Sequence, residues 1–438
     1  MRICASLGSA DDIHSDDVAA AEIIEIRTDV FDTVPENVLK KGQTGLISFK
    51  GPIIMEMVPK GWIADIGSSN RSDIKGEVIS SYHDFEGTPD AETLIKIMDA
   101  MNGDIVKGAF AVNSSDDLVR LFDISQRVGK RHVIIGMGEL GKITRIRQKL
   151  MGNEFTFAYV GNETAPGQMS VRDMIKLGDD PMITGIVGSR IGYTRSPMMH
   201  DVAFGHSSIA GKYLVFDMPS LDRIDEMIFN YKIRGVNITK PYKTDIIEHI
   251  DACDRISEAV GAVNTVVNDG GKLRGYNTDV HGIESALRAN SVNVRGKRAL
   301  VLGSGGAARS CVYFLSENGC DVTITGRSLD TVKRVASDFS SKARERTSVA
   351  VKTYDIIVNC IPLDKRDDAS EYPINIEQIG CTQTVFDMVY GETHLTDMAN
   401  KIGCTVVRGE DMLAYQGAMS FELFTSKSVP YKVMREAI

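Results

Sequence analysis

The stretch Ala299-Leu300-Val301-Leu302-Gly303-Ser304-Gly305-Gly306-Ala307-Ala308-Arg309 decides the fold of the C-terminal part of the chain. Four apolar residues read as a buried strand, and the glycines after them form a Gly-x-Gly-x-x-Ala turn. Ser310–Asn318 then reads as a helix and Val322–Thr325 as a second strand. A strand, a glycine turn, a helix and a strand at this spacing predict a Rossmann-type unit. Its turn lets a pyrophosphate approach the backbone at a helix N-terminus. Gly303, Ser304, Gly305, Gly306 and Ala307 are therefore candidate cofactor contacts. An acidic residue at the end of the second strand would hold the ribose of NAD. The sequence instead has Gly326-Arg327-Ser328, and an arginine there pairs with the 2′-phosphate of NADP. Ile356–Cys360 and Val385–Tyr390 read as later strands of the same sheet. Gly409 opens a helix with Leu413, Gln416, Met419, Ser420 and Leu423 at helical spacing.

Upstream lies Met182-Ile-Thr-Gly-Ile-Val-Gly188, an apolar strand that runs into a polar loop ending Tyr193-Thr194-Arg195-Ser196-Pro197. A strand followed by a hydroxyl-bearing loop marks the start of a domain with a ligand site. Three further clusters follow: Gly235-Val-Asn237-Ile-Thr239-Lys240-Pro241-Tyr242-Lys243, Gly261-Ala-Val-Asn264-Thr265, and Gly275-Tyr-Asn277-Thr-Asp279. Each ends a strand-like run on Asn and Thr, and together they suggest a polyol-binding cleft.

These motifs, in this order across 182–438, resemble shikimate dehydrogenases. The resemblance implies that Thr194, Ser196, Asn237, Thr239, Asn264, Asp279 and Gln416 bind the carboxylate and hydroxyls of shikimate. Lys243 and Asp279 would form the catalytic pair. Tyr390 and Met412 would line the nicotinamide side, with Gly409 beside them, and Arg327 and Ser328 would hold the adenosine end. Four positions depart from the family pattern: Tyr193-Thr194 stands for His-Ser, Lys240 for an apolar residue, and Gly326 for Asn.

The segment before this unit carries eight strand-like runs: Arg2–Leu7, Ile23–Thr28, Gly45–Phe49, Trp62–Ile66, Glu77–Tyr82, Ile105–Val112, His132–Gly136 and Thr156–Val160. Helical patterns at Asp90–Met101 and Ser115–Val128 separate some of them. Eight strands in series predict a (β/α)8 barrel. The segment is shorter than such barrels, which usually take about 200 residues or more, so some crossover helices should be missing or reduced to one turn. Chemistry in these barrels sits at the carboxyl ends of the strands. Glu25, Arg27, His83, Lys107, Arg145 and Thr164–Gln168 fall in or after strands. Burial of Lys107 predicts a lowered pKa, toward a neutral amine able to attack a ketone. A histidine can move the protons of such a reaction, and an arginine can hold a carboxylate.

The combination Glu25-Ile-Arg27-Thr-Asp29, Ser81-Tyr-His83-Asp84-Phe85, Lys107, Ile143-Thr-Arg145 and Ala165-Pro-Gly-Gln168 resembles type I 3-dehydroquinate dehydratase. By that resemblance Lys107 forms the Schiff base, His83 transfers protons and Arg145 clamps the carboxylate. Glu25, Arg27, Lys50, Thr164 and Gln168 would be substrate contacts. The family usually has an arginine after the third strand and a glutamate one turn later. Here Lys50 replaces the arginine, and no glutamate stands at the matching position.

The sequence of 438 residues has ordinary apolar (43%) and charged (25%) content, and its net charge of −9 argues against a nucleic-acid surface. Seven dispersed cysteines suggest reduced thiols and a cytoplasmic location. Neither a signal peptide nor a membrane span is legible. The histidines lack metal-ligand spacing, so no metal is expected.

The expected architecture is α/β throughout: a shortened (β/α)8 barrel (1–177), then a two-domain α/β dehydrogenase. Its parts are a shikimate-binding domain (182–283, completed by 412–438) and a Rossmann-type NADP domain (284–411). The expected function is bifunctional: dehydration of 3-dehydroquinate, then NADPH-dependent reduction of 3-dehydroshikimate to shikimate. The expected partners are these small molecules, with neither nucleic acid nor membrane, and the reading leaves a homodimer open. Three alternatives stand beside it: a shikimate or quinate dehydrogenase whose barrel is a scaffold, a quinate dehydrogenase using NAD, and a regulatory sensor built from the same folds.

Overall fold

The computed structural model describes residues 1–69 and 74–438. The chain divides into two compact units. One comprises Met1–Gly192 and Ala210–Arg234, the other Tyr193–Ile209 and Gly235–Ile438.

The first unit begins with eight strands: β1 (Ile3–Leu7), β2 (Ile23–Arg27), β3 (Thr44–Ser48), β4 (Ile63–Asp65), β5 (Val78–Asp84), β6 (Ile105–Ala111), β7 (His132–Met137) and β8 (Thr156–Val160). They pair in parallel in the order β7-β6-β5-β4-β3-β2-β1-β8. The sheet curls into a nearly closed barrel. Asn153 ties its seam, accepting from the Ile134 N–H at 2.8 Å and donating to the Ile134 carbonyl at 2.9 Å.

The two-residue period of the strands sorts the barrel interior into layers. Cys4, Ile23, Leu46, Ile63, Ile79, Ile105 and Val133 fill the lower part with apolar side chains. Two residues further along the same strands stand Ser6, Glu25, Ser48, Asp65, Ser81 and Lys107, all buried. The polar layer therefore sits toward the carboxyl ends, on an apolar floor.

The shortened crossovers are found as the sequence predicts. Full helices follow β5, β6, β7 and β8 (Ala91–Ala100, Ser115–Arg127, Gly138–Ile146, Val171–Leu177), whereas β3 and β4 are joined through a single turn, Met55–Met57. Loop side chains replace the missing helices: Val34, Ile53, Met57, Val58, Trp62 and Ile74 pack on Phe49, Ile66 and Val78. Gly45 makes this covering fit, because a Cβ there would lie 2.1 Å from the Trp62 ring. The same unit holds the parallel pair β9 (Met182–Gly188) and β10 (Gly211–Asp217) and the helix Ile224–Asn230. Tyr231 Oη donates to the Leu118 carbonyl at 2.8 Å, and Arg147 Nε donates to the Tyr231 carbonyl at 2.9 Å.

In the second unit, β11 (Ile233–Ile238), which enters it at Gly235, pairs antiparallel with β13 (Thr265–Asp269). β13 pairs antiparallel with β14 (Lys272–Tyr276), and β14 pairs in parallel with the short β12 (Ala252–Cys253). A second, all-parallel sheet has the order β17-β16-β15-β18-β19-β20. Its strands are β15 (Arg298–Leu302), β16 (Asp321–Thr325), β17 (Lys342–Arg344), β18 (Ile356–Asn359), β19 (Thr384–Asp387) and β20 (Thr405–Arg408). The helix Gly409–Thr425 returns to pack on the helix Thr278–Ala289.

Candidate active sites

The barrel opens into a cavity of about 240 Å³ lined by Glu25, Arg27, Lys50, His83, Lys107, Arg145, Thr164 and Gln168. The structure thus brings together every barrel residue that the sequence singles out. Lys107, Glu25 and Arg27 reach it from strands, His83 from the end of β5, and Arg145 from the helix after β7.

Lys107 Nζ donates to Asp65 Oδ2 at 2.9 Å and stands 4.4 Å from the centroid of the Phe157 ring. Asp65 also accepts from the Ser81 hydroxyl at 2.6 Å. Burial opposes ionisation of Asp65, but the Lys107 ammonium and the Ser81 hydroxyl overcome it and bring the carboxyl down to about 2. Burial also pulls the Lys107 pKa down, but the carboxylates of Asp65 and Glu25 outweigh it and leave the pKa above the ordinary lysine value. This corrects the expectation of a neutral amine. The resting lysine is an ammonium, held by an aspartate that the sequence did not mark.

Glu25 accepts from the hydroxyls of Ser6 and Ser48, the latter at 2.6 Å. Arg27 donates to the Thr164 carbonyl at 2.9 Å and pairs with Asp29 at 2.6 Å, so it joins the end of β2 to the loop after β8. In that loop Gln168 Oε1 accepts from the Thr164 hydroxyl at 2.8 Å. Arg145 is 2% exposed and, among the described residues, pairs with no carboxylate. One guanidinium nitrogen donates to the Phe157 carbonyl at 3.4 Å and Nε has no partner, while burial lowers its pKa to about 10. A buried, unpaired guanidinium facing a cavity is suited to receive a carboxylate. Among the described residues His83 makes no hydrogen bond; its ring stacks on Phe85, with centroids 6.2 Å apart. Its pKa is lowered to about 4, by burial first and then by the charges of Lys107 and Lys50, so its imidazole is neutral near pH 7. Burial, and then the Lys107 charge, also depress the Lys50 pKa.

The second constellation lies in the second unit. Lys243 Nζ donates to Asp279 Oδ2 at 2.5 Å, and Asn264 Nδ2 donates to Asp279 Oδ1 at 2.8 Å. Asn237 donates to the hydroxyls of Thr265 at 3.0 Å and Ser420 at 2.9 Å. The hydroxyls of Thr265, Thr278 and Ser420 form a buried triangle with sides of 3.0 to 3.3 Å. Gln416 accepts from Thr278 at 3.3 Å and from Asn264 at 3.4 Å. The triangle therefore fixes Asn237, Asn264 and Gln416 relative to one another. Motif reading assigned none of the three hydroxyls of this triangle to the site. Thr194 lies beside Ser196, with 3.2 Å between their hydroxyl oxygens, and Thr239 follows the end of β11.

The glycine turn connects this cluster to a cofactor cradle. Gly303 has φ +110°, open only to glycine at low cost, and its N–H donates to the Thr325 carbonyl at 2.8 Å. Gly305 caps the helix Gly306–Glu317 without a side-chain partner, and a Cβ on it would meet nothing within 4 Å. A Cβ on Gly306 would lie 2.9 Å from Lys243 Cβ, so the lysine stem packs on the turn. The Thr325 hydroxyl, buried at the end of β16, has no partner among the described residues. Open space above a helix N-terminus and an orphaned hydroxyl fit a dinucleotide. Arg327 and Ser328 stand exposed after β16. Tyr390 is half-buried, its pKa raised by burial and by Asp279, and Met412 and Gly409 are buried at the start of the last long helix.

Comparison with known proteins finds a family match in both parts of the chain. The family described as type I 3-dehydroquinase matches residues 54–178. The shikimate dehydrogenase substrate binding domain matches 186–266, shikimate / quinate 5-dehydrogenase matches 284–365, and the shikimate 5'-dehydrogenase C-terminal domain matches 409–438. The shikimate dehydrogenase (NADP(+)) of Carboxydothermus hydrogenoformans is 32% identical over 278 residues, which are 60% of this chain and 99% of that protein. The chain belongs to the shikimate dehydrogenase family. Ahead of its dehydrogenase it carries a type I 3-dehydroquinase barrel. A chloroplastic bifunctional 3-dehydroquinate dehydratase/shikimate dehydrogenase of Arabidopsis thaliana is 28% identical over 387 residues, covering 81% of this chain and 64% of that one. Among solved structures, the shikimate dehydrogenase of Aquifex aeolicus matches with TM-score 0.56 and 28% identity, over 59% of this chain and 97% of its own. The Thermus thermophilus enzyme, in complex with NADP(H) and shikimate, matches at 0.54 and 31% identity, over 58% of this chain and 98% of its own.

Proposed function

We propose that this shikimate dehydrogenase with its 3-dehydroquinase barrel performs two consecutive steps. The barrel dehydrates 3-dehydroquinate to 3-dehydroshikimate, and the second unit reduces that product to shikimate with NADPH. The observation that carries the reading is the convergence of Lys107, His83 and Arg145 on one barrel cavity, together with a Lys243–Asp279 pair in the second unit that packs on a glycine turn.

In the barrel, Arg145 receives the substrate carboxylate and so directs the ketone toward Lys107. The lysine releases its proton, adds to the ketone carbon and expels water, which gives an iminium. The iminium withdraws electrons, and neutral His83 takes the proton from the adjacent carbon. The carbon–oxygen bond beyond it breaks, and the protonated imidazole returns that proton to the leaving hydroxyl as water. Hydrolysis then frees the product and Lys107. Glu25, fixed by Ser6 and Ser48, and Gln168 are placed to accept or donate at substrate hydroxyls.

In the second unit, bound NADPH supplies the hydride. Lys243 protonates the carbonyl oxygen as charge develops on it, while Asp279 holds the ammonium at 2.5 Å. Asn237, Asn264 and Gln416, locked by the hydroxyl triangle, orient the ring hydroxyls. Thr194, Ser196 and Thr239 supply further hydroxyls for the carboxylate end.

Seven free thiols fit a reducing, cytoplasmic setting. Among the described residues no helix is long and apolar enough to cross a membrane. Borohydride reduction in the presence of 3-dehydroquinate, followed by peptide mass analysis, tests the first site. A substrate-derived adduct is expected on Lys107, and an unmodified Lys107 contradicts the dehydratase reading.

A further inference from the structure

The arginine after β16 does not stand alone. β17 is the edge strand beside β16, and its last residue, Arg344, is in register with Thr325. Paired residues on adjacent strands lie about 5 Å apart. Arg344 therefore ends its strand next to Gly326-Arg327-Ser328, at the carboxyl edge where dinucleotides bind in such sheets. Both Arg327 and Arg344 are exposed, and among the described residues neither makes a hydrogen bond or ion pair. Asp330 and Glu345, the nearest acids in sequence, pair with neither of them. By contrast, three other cations nearby are engaged: Lys342 with Asp321 at 2.6 Å, Arg309 with Asp338 at 2.7 Å, and Arg346 with backbone carbonyls. Two uncommitted guanidiniums at adjacent strand ends, beside a buried and unpartnered Thr325 hydroxyl, form a dianion-binding edge.

We propose that Arg344 is a second ligand for the ribose 2′-phosphate, reaching it from the edge strand opposite Arg327. A phosphomonoester offers three oxygens, and two guanidiniums approaching from different strands satisfy more of them than one. The assignment makes cofactor choice a property of the edge strand as well as of the loop after β16. It rests on the NADP reading given above.

The test is calorimetric titration of the intact protein, without substrate, with adenosine 2′,5′-bisphosphate and with 5′-AMP. The parent should bind the bisphosphate more tightly. Arg344→Ala should weaken bisphosphate binding about tenfold, as expected for a lost charge-assisted contact, and leave 5′-AMP unchanged. Arg344→Lys should recover part of the loss, and Arg327→Ala serves as the comparison. If Arg344→Ala binds the bisphosphate as the parent does, or loses both ligands equally, the assignment is overturned while the NADP reading stands. A parent with no preference for the bisphosphate overturns both.

Discussion

Lys107 Nζ lies 2.9 Å from Asp65 Oδ2, and both groups are buried among the inward-facing side chains of the barrel. The pair holds Lys107 as an ammonium, so in the proposed mechanism the first proton transfer is part of the reaction rather than a property of the resting site.

Asp65→Asn should lower the pKa of Lys107, because the largest charge opposing burial is removed. The pH dependence of borohydride trapping with substrate should then shift to lower pH. Breaking a buried pair should also destabilise the protein by about 3–5 kcal/mol, read by denaturant unfolding. An unshifted trapping profile would show that Asp65 does not set the charge on Lys107.

The same pair predicts the limits of stability in pH. The Asp65 pKa is depressed to about 2, so its contribution is present above the ordinary carboxyl pKa and is lost as pH falls from about 4 through 2. Lys107 is shifted upward, so its contribution is present below the ordinary lysine pKa, about 10.4, and is lost as pH rises through the folded value. Unfolding of parent and Asp65→Asn compared across pH should differ least at both extremes.

His83 should remain neutral down to pH about 4 in the free enzyme, as followed by its ring resonances in NMR. Lys107→Ala removes one of the charges that depress it, and the His83 pKa should rise. A midpoint near 6.5 in the parent would place His83 in a more solvated setting than the cavity described.

Lys243→Ala and Asp279→Asn should each lower kcat for reduction of 3-dehydroshikimate by about 10²–10⁴. Dehydration of 3-dehydroquinate by the same variants should be unaffected. Equal loss of both activities would mean that the substitutions act through folding.

Much of this was legible in the sequence. The barrel strands declare themselves by period-2 alternation, and that period also places Lys107 on the face of Ile105 and Ala109. Asp65 was harder to read. It ends a three-residue strand, and although alternation puts it on the face of Ile63, its partner is 42 residues away. Only the ordering of β4 and β6 around the barrel brings the two together. Without Asp65, burial alone sets the expectation for Lys107, and burial alone gives the wrong direction. The Thr265–Thr278–Ser420 triangle was hidden for a similar reason, since it joins a strand to a helix 155 residues further on. The glycine turn was easier, because its chemistry and its spacing are local. The register of Arg344 beside Thr325 was not, since β17 is a short edge strand with no apolar pattern.

The most direct test of the whole account is one coupled assay. The parent protein receives 3-dehydroquinate and NADPH, and nicotinamide absorbance is followed beside a Lys107→Ala variant. The account predicts oxidation of NADPH by the parent. It predicts none by the variant with 3-dehydroquinate, and normal turnover by the variant with 3-dehydroshikimate. A parent that turns over 3-dehydroshikimate but not 3-dehydroquinate would contradict the assignment of dehydratase chemistry to the barrel.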